Sequence, residues 1–191
     1  MSLHRSLLMA QQKIENPLDF NGVDKYLDTG IKLWTGNPFT LMLVFTSRAE
    51  DNGANQTIFT TRNYGSEHGA TFSQITGSMF YRGSMIGESR YGPVVVFNSS
   101  IYGVKRGIVV YFTGSQLRYS RITTNSDVTS YFVPSWMSLP SSATDETLLL
   151  GANRIASGIG EFWNGRINAI RFDNRELTTS EKQIFFKSQG L

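Results

Sequence analysis

The chain has 191 residues, 40% of them hydrophobic and 17% charged, which suits one well-buried domain and leaves little room for two. The formal charge of +3 is spread along the sequence without a basic run, so nucleic acid is not an expected partner. Because the chain has no cysteine and only two histidines, disulfides, cysteine-ligated zinc and multi-histidine metal sites are excluded.

Residues 1–15 differ from the rest of the chain. Leu3, Leu7 and Ala10 share one helical face with Leu8 beside it, and polar residues fill the opposite side. A helix this short is marginal alone in water, so it is expected to dock on something. It docks either on an open end of its own domain or, through Leu3, Leu7 and Leu8, as an assembly arm inserted into a neighbouring subunit.

Proline sets the boundary of this segment. The residue before Pro17 avoids helical angles, so we predict a helical arm at 1–16 and a β domain at 17–191. The apolar run at 6–10 is shorter than the ~7–15-residue core of a signal peptide, and we expect no such signal. No stretch approaches the ~20 apolar residues that span a bilayer, so no membrane insertion is expected.

Short strands separated by turns are predicted for most of the remaining chain. Residues 39–46 alternate in a way that predicts a long strand with apolar side chains on both faces. Further strands are predicted at 56–62, 70–75, 78–81, 93–97, 107–112, 117–122 and 147–150. Gly114 and Ser115 suit a hairpin turn. The Ser- and Thr-rich stretch 120–147 is expected to be a long loop.

Residues 163–191 carry a distinct order of signals for turns, a strand and a helix. Trp163 is assigned to the core and precedes an Asn-Gly turn. In the following strand, one face is predicted to carry Ile167, Ala169 and Arg171, and the other Asn168, Ile170 and Phe172. Thr178 and Glu181 have the spacing of a capping box, which predicts a short helix through 184–186.

This closing segment resembles that of the laminin-G-like, concanavalin A-like β-sandwich family. The family pattern is aromatic-x-Gly-x-Ile, a strand ending in Arg and an apolar residue, then Arg-x-Leu and a downstream Glu. The matching positions are Trp163, Gly165, Ile167, Arg171, Phe172, Arg175, Leu177 and Glu181. Residues 18–28 resemble the family's opening strand and hairpin, and 148–151 resemble the segment before its closing strands.

The resemblance covers roughly residues 17–186 and implies an all-β fold. The expected architecture is a jelly-roll sandwich of two antiparallel sheets, with a short N-terminal helical arm and a short C-terminal helix. The sequence departs from the family near 105–107, where many members carry a Trp-His pair.

Paired carboxylates are the first chemistry to seek, because related sandwiches include glycoside hydrolases. Such enzymes hold two carboxyl groups ~5–5.5 Å apart or wider, and Glu-x-Asp-x-Glu on a strand would supply them. The sequence has no such motif. The adjacent pairs at 50–51 and 145–146 are expected to be solvated loop charges, and His68 has no triad partners near it. We therefore predict no enzyme activity and no catalytic residue.

Cofactor binding is also not expected. Calcium takes six to eight oxygen ligands in most proteins, and only thin clusters could supply them, namely Asp51, Asn52 and Asn55 or Asp173 and Asn174. Turn chemistry explains these residues as well as a metal does, and we predict no metal site.

Sugar binding would need an exposed aromatic ring beside polar groups. The candidate ligand-binding residues are Tyr64, His68, Tyr91 and Trp136. The loop that carries Tyr64 and His68 is the first to test, because polar, aromatic-bearing loops commonly carry recognition.

Two function classes stand ahead of a glycosidase. The first is a non-catalytic structural or adhesion protein of a bacteriophage particle (decoration, fibre or tail), located in the virion. Its partners would be other virion proteins or further copies of itself, with host-surface glycans as a candidate receptor. The alternative is a carbohydrate-binding module of a secreted bacterial protein, located outside the cell.

Overall fold

In the computed structural model of the protein, the described residues are 12–14, 16–33, 35–48, 55–61, 69–75, 78–84, 94–97, 102–114, 117–122, 129–132 and 146–191. They form two antiparallel sheets that enclose one core, and a helix follows at the C-terminal end. The predicted all-β class, a two-sheet sandwich with a short C-terminal helix, is confirmed.

The elements of the described residues follow one another along the chain as β1 (Gln12–Ile14), β2 (Leu18–Asn21), β3 (Leu27–Lys32), β4 (Phe39–Ser47), β5 (Gln56–Thr60), β6 (Gly69–Ile75), β7 (Ser78–Ser84), β8 (Val94–Phe97), β9 (Lys105–Phe112), β10 (Leu117–Ile122), β11 (Thr129–Phe132), β12 (Thr147–Leu150), β13 (Asn153–Ile155), β14 (Gly158–Gly160), β15 (Asn164–Asp173) and α1 (Thr179–Ser188). Sheet A has the order β1-β15-β4-β9-β10-β11, with β2 also paired to β15. Sheet B has the order β3-β12-β5-β6-β7-β8, and β13 and β14 form a separate hairpin. Each strand predicted between 39 and 150 is present, with ends that differ by a few residues.

The core lies between the two sheets, and β4 shows how alternation builds it. One set of alternate β4 residues lies in the core shared with sheet B: Phe39, Leu41, Leu43 and Phe45. Met42 and Val44 lie instead in a second cluster, together with Phe185 and Phe186 of α1. Both faces of β4 are therefore covered, which explains why the strand carries apolar side chains on both faces.

The helix α1 begins at the predicted capping box. Thr178 Oγ1 accepts a hydrogen bond from the Glu181 amide at 3.3 Å, and Glu181 Oε2 accepts one from the Thr178 amide at 2.8 Å. Arg175 Nη1 donates to the same Glu181 oxygen at 3.1 Å. These bonds fix the start of a helix that covers the outer face of sheet A. Within the described part of the chain, no helix is long and apolar enough to cross a membrane.

The strand β15 contains a bulge that changes which side chains share a face. The pairing of β15 with β4 shifts register between Ile167 and Ala169. Ile167 consequently joins Ile170 and Phe172 in the core, while Ala169 lies in the cluster beneath α1. The predicted grouping of Ile167 with Ala169 is therefore wrong, because one extra residue in a strand reverses the alternation beyond it.

The N-terminal segment enters sheet A before residue 16. β1 pairs with β15, with Lys13 opposite Arg171, and β2 pairs with the first half of the same strand. The helical prediction for 1–16 is therefore wrong at 12–14. An isolated short helix is marginal, whereas the edge of β15 offers backbone partners to an extended chain. Leu3, Leu7 and Leu8 of the predicted assembly arm lie outside the described residues.

Two further expectations differ from the structure. β2 and β3 do not pair as an opening hairpin, because β2 lies in sheet A and β3 pairs with β12 in sheet B. Asn21 Oδ1 accepts hydrogen bonds from the amides of 23, 24 and 25 and turns the chain between the sheets. The stretch 120–147, predicted as a loop, contains β11, which pairs with β10. Thr is enriched in strands, so a Thr-rich stretch does not by itself predict a loop.

Trp163 lies where the chain passes from sheet B to sheet A, and its predicted place in the core is confirmed. The side chain is fully buried, with ring centroids 5.7 Å from Phe20 and 6.2 Å from Phe45. The indole Nε1 donates to Ser47 Oγ at 3.3 Å, and the backbone amide donates to the Gly151 carbonyl at 2.9 Å. One residue thereby contacts two strands of sheet A and the turn that follows β12.

Replacing Gly165 by Ala should destabilise this packing. A Cβ at position 165 would lie 2.2 Å from Cζ2 of the buried Trp163 ring, so the ring or the strand must move. We expect a loss of about 3 kcal/mol in the free energy of unfolding, measured by urea denaturation. Gly103→Ala is the control. Its φ of +69° is strained for Ala, but no atom lies within 4 Å of the added Cβ, so the free energy of unfolding should fall by only about 1 kcal/mol. Equal losses would contradict the role of the ring.

Acid should weaken the start of α1 through Glu181. Its pKa is lowered from 4.5 to about 2, first by the Arg175 hydrogen bond and then by the backbone and hydroxyl of Thr178. A carboxyl with a lowered pKa stabilises the fold above its unfolded value and loses that contribution as the pH falls through the folded value. Urea denaturation should therefore show a loss of stability between pH 4.5 and 2.

The variant Glu181→Gln separates this effect from general acid unfolding. Its stability should be lower than that of the unmodified protein at pH 6, and the difference should shrink as the pH approaches 2. Glu176→Gln, at an exposed position two residues before the N-cap, is the matched control and should leave the pH dependence unchanged. A constant difference between Glu181→Gln and the unmodified protein would contradict the role of the ionised carboxylate.

Candidate functional site

The hairpin β13–β14 is placed against sheet B by a sharp turn at Gly151. The chain leaves β12 there with a φ of +79°, and an added Cβ would lie 2.1 Å from the Phe20 ring, so only glycine fits. The chain returns at Glu161, whose carbonyl accepts a hydrogen bond from the Thr57 amide of β5 at 2.8 Å. The hairpin thus begins and ends on sheet B, while α1 covers the opposite sheet.

Arg154 of β13 forms the first polar cluster of this site. Its Nε lies 3.2 Å from Glu146 Oε2, and its Nη2 donates to Thr147 Oγ1 at 3.0 Å and lies 3.8 Å from Asp28 Oδ2. The side chain is 14% exposed. Burial lowers the pKa of the guanidinium, and the carboxylates of Glu146 and Asp28 act in the opposite direction. Nη1 is buried and has no hydrogen-bond partner among the residues that the structure describes.

Glu161 forms the second polar cluster, at the base of the hairpin. Its Oε2 accepts hydrogen bonds from Thr57 Oγ1 at 3.1 Å and Asn153 Nδ2 at 2.8 Å, and its Oε1 accepts one from Asn55 Nδ2 at 3.4 Å. Glu161 has a φ of +50°, a left-handed conformation that costs energy for any residue with a Cβ. Such strain is characteristic of functional sites. Asn153 Oδ1 is buried, and no described residue donates a hydrogen bond to it.

A row of hydroxyls continues from this cluster across β5 and β6. Thr57 Oγ1 lies 3.1 Å from Ser73 Oγ, and Thr60 Oγ1 lies 3.0 Å from Thr71 Oγ1. Thr71 and Ser73 flank the core residue Phe72, so they lie on the face of sheet B that points away from the core. This face is therefore polar, whereas the outer face of sheet A is apolar beneath α1.

The carboxylates of the two clusters are engaged by other side chains. Asp28 and Glu146 lie beside the guanidinium of Arg154, and Glu161 accepts hydrogen bonds from Thr57 and Asn153. A general acid or base needs a carboxyl group free to exchange its proton with a substrate. The arrangement instead holds side-chain donors and acceptors in fixed positions.

The structure does not describe the residues predicted from the sequence to bind a ligand. Tyr64, His68, Tyr91 and Trp136 lie outside the described residues, and they stay predictions.

Two of the residues that were considered as calcium ligands, Asp173 and Asn55, form hydrogen bonds with other side chains. Both carboxylate oxygens of Asp173 accept hydrogen bonds from Arg171, at 2.7 and 3.1 Å. Asn55 donates to Glu161, and 51 and 52 lie outside the described residues. Among the residues that are described, no three His, Cys, Asp or Glu side chains group together as metal ligands.

Sequence reasoning missed the residues that form the two clusters. Glu146, expected to be a solvated loop charge, is instead paired with Arg154. The sequence did contain a signal for the first cluster, because Arg154 is the only charged residue between Glu146 and Glu161. A lone charge in an apolar, glycine-containing segment needs a partner, and the nearest carboxylates bracket it.

Known proteins resemble this chain in fold. No protein-family model matches the sequence, and no curated protein matches it. The carbohydrate-binding module CBM40 of the Ruminococcus gnavus IT-sialidase, solved with α2,3-sialyllactose, aligns with a TM-score of 0.64 at 11% identity. The alignment covers 92% of this chain and 97% of that one.

Two larger proteins contain a similar domain. The receptor-binding domain of botulinum neurotoxin D aligns with a TM-score of 0.63 at 9% identity, over 94% of this chain and 48% of that one. The leech intramolecular trans-sialidase aligns with a TM-score of 0.61 at 10% identity, over 91% of this chain and 27% of that one. The shared feature is the β-sandwich fold. These neighbours are named as a carbohydrate-binding module, a receptor-binding domain and an enzyme several times longer than the aligned region.

Replacing Glu161 by Ala should loosen the base of the hairpin. The change leaves the buried Thr57 hydroxyl and the Asn153 amide without their acceptor, which should cost about 2 kcal/mol in the free energy of unfolding. Glu161→Gln keeps one acceptor oxygen and should lose less. Glu176→Ala, at an exposed position, is the control for urea denaturation. An equal effect of the Ala changes at 161 and 176 would exclude the anchoring role.

Proposed function

We propose that this β-sandwich is a non-catalytic carbohydrate-binding domain that contacts glycan hydroxyls beside the β13–β14 hairpin. The observation that carries the proposal is that two buried polar atoms of this site, Arg154 Nη1 and Asn153 Oδ1, have no hydrogen-bond partner among the described residues. A buried polar atom without a partner costs free energy, and a ligand group that reaches it recovers the missing hydrogen bond. Sugar hydroxyls suit such atoms because each hydroxyl both donates and accepts.

The fold supports the same proposal. The alignment with a sialidase carbohydrate-binding module covers almost the whole of both chains, so the two share the same sandwich. The hydrogen bonds that hold the base of the hairpin to sheet B and the left-handed backbone at Glu161 fix the position of the polar groups of the hairpin. The proposed role is glycan binding outside the cell.

The finer family assignment, to the laminin-G-like, concanavalin A-like sandwiches, is also part of the proposal. It is supported by the physical roles of the residues that carry the resemblance. Trp163 packs on Gly165, and Arg175 pairs with Glu181 at the start of α1. The role in a bacteriophage particle, with virion proteins or further copies of the chain as partners, stays a prediction that no observation on the described residues favours.

Titration with lactose and α2,3-sialyllactose tests the proposal, because these probes differ by one acidic sugar. We expect binding that is detectable by calorimetry, with lactose bound no more weakly than sialyllactose. The reason is that the two carboxylates beside Arg154, those of Asp28 and Glu146, outnumber its guanidinium and repel a further anion. A glycan microarray extends the search to other neutral sugars.

The variant Arg154→Lys keeps the charge but removes the planar fork of donors, and it should weaken glycan binding at least tenfold. Arg166→Lys is the matched control, because Arg166 is also paired with a carboxylate, that of Asp19, but lies on sheet A. Tyr64→Ala tests the loop predicted from the sequence. A blank array, or binding that Arg154→Lys leaves unchanged, would rule out this site.

A further inference from the structure

A cleft lies beside the start of α1, on the side of the sandwich opposite to the hairpin. Its volume is about 390 Å³, within the range of ~300–1,000 Å³ typical of small-molecule sites. β9 contributes Tyr111 and β10 contributes Arg118, while Glu176, Thr179 and Lys182 come from the segment that leads into and forms the first turns of α1. The lining is thus largely polar and includes both signs of charge.

Lys182 is the residue of this cleft that most requires a partner. It is only 4% exposed, and its Nζ lies 3.5 Å from the centroid of the Tyr111 ring. In the described part of the protein, Nζ makes no hydrogen bond or ion pair, and burial lowers its pKa. An ammonium group carries three donors, and the ring face satisfies none of them as an oxygen acceptor would.

The surroundings of Lys182 add positive charge. The guanidinium of Arg118 is near enough to lower the Lys182 pKa further, and the carboxylates of Glu176 and Glu181 act in the opposite direction. Glu181 is already engaged by Arg175 and by the capping box. Within the lining itself, two cations and one carboxylate leave one net positive charge, to which the N-terminal end of α1 adds.

We propose that this cleft binds the carboxylate group of a small organic acid, with Lys182 and Arg118 as its cationic partners. A carboxylate supplies the oxygen acceptors that the ammonium of Lys182 lacks among the described residues. It also accepts two parallel hydrogen bonds from a guanidinium and one from an ammonium. A phosphate dianion fits less well, because the second charge would face Glu176 without a further cation in the lining.

An NMR titration of the isotope-labelled protein with sodium glucuronate tests this proposal. The amides of Thr178–Lys182 should shift in a saturable manner, and glucose, the neutral counterpart, should leave them in place at the same pH and ionic strength. Inorganic phosphate should bind more weakly than glucuronate. These amides lie on the opposite side of the sandwich from Arg154, so the outcome is separate from that of glycan binding at the hairpin.

Lys182→Met should reduce the affinity for glucuronate at least tenfold. The replacement keeps the length of an apolar side chain, and exchanging a buried unpaired ammonium for it should leave the fold intact. Lys187→Met is the matched control, because Lys187 is exposed on the last turn of the same helix. Arg118→Gln supplies a second test from a different element and should also weaken binding.

The proposal is overturned if glucuronate causes no saturable shift, or if Lys182→Met binds it as tightly as the unmodified protein does. It is equally overturned if glucose or phosphate binds as tightly as glucuronate, because the carboxylate would then play no special part.

Discussion

The burial of Trp163 is the interaction on which the rest of the structure depends. Its ring fills the space between Phe20 and Phe45, its indole nitrogen reaches Ser47 of β4, and its amide holds the carbonyl of Gly151. These contacts join the end of sheet B to the start of β15 in sheet A. Because the hairpin lies between Gly151 and Trp163, the same packing fixes the two points from which the hairpin leaves and to which it returns.

The two outer faces of the sandwich have opposite chemistry because different elements cover them. Sheet A is apolar outside and is closed by α1, whose Phe185 and Phe186 complete a second core. Sheet B carries paired hydroxyls outside, and a hairpin held by hydrogen bonds and ion pairs lies beside them. Apolar packing tolerates few changes of volume, so the outer face of sheet A depends on shape. The outer face of sheet B depends instead on hydrogen bonds between buried hydroxyls.

Local patterns in the sequence predicted the local structure, and only that. Alternation along β4 and the capping box at Thr178 depend on neighbours within a few residues, and both appear as predicted. The bulge in β15 leaves no periodic mark, since one inserted residue looks like an ordinary apolar run. The contact of Arg154 with Asp28 joins residues from opposite ends of the chain, and nothing in the spacing of either reveals the other. The site was accordingly harder to predict than the fold that presents it.

The hairpin between β12 and β15 has a base whose residues are constrained by packing and a tip whose residues are not. Its base is fixed by Gly151, Glu161 and Trp163, while its tip at 156–158 is exposed and makes no contribution to either core. Insertions and substitutions at such a tip are tolerated far better than changes in packed strands. Related chains can therefore diverge in the length and composition of this tip while they retain the same sandwich, and new specificities could be grafted there without redesigning the scaffold.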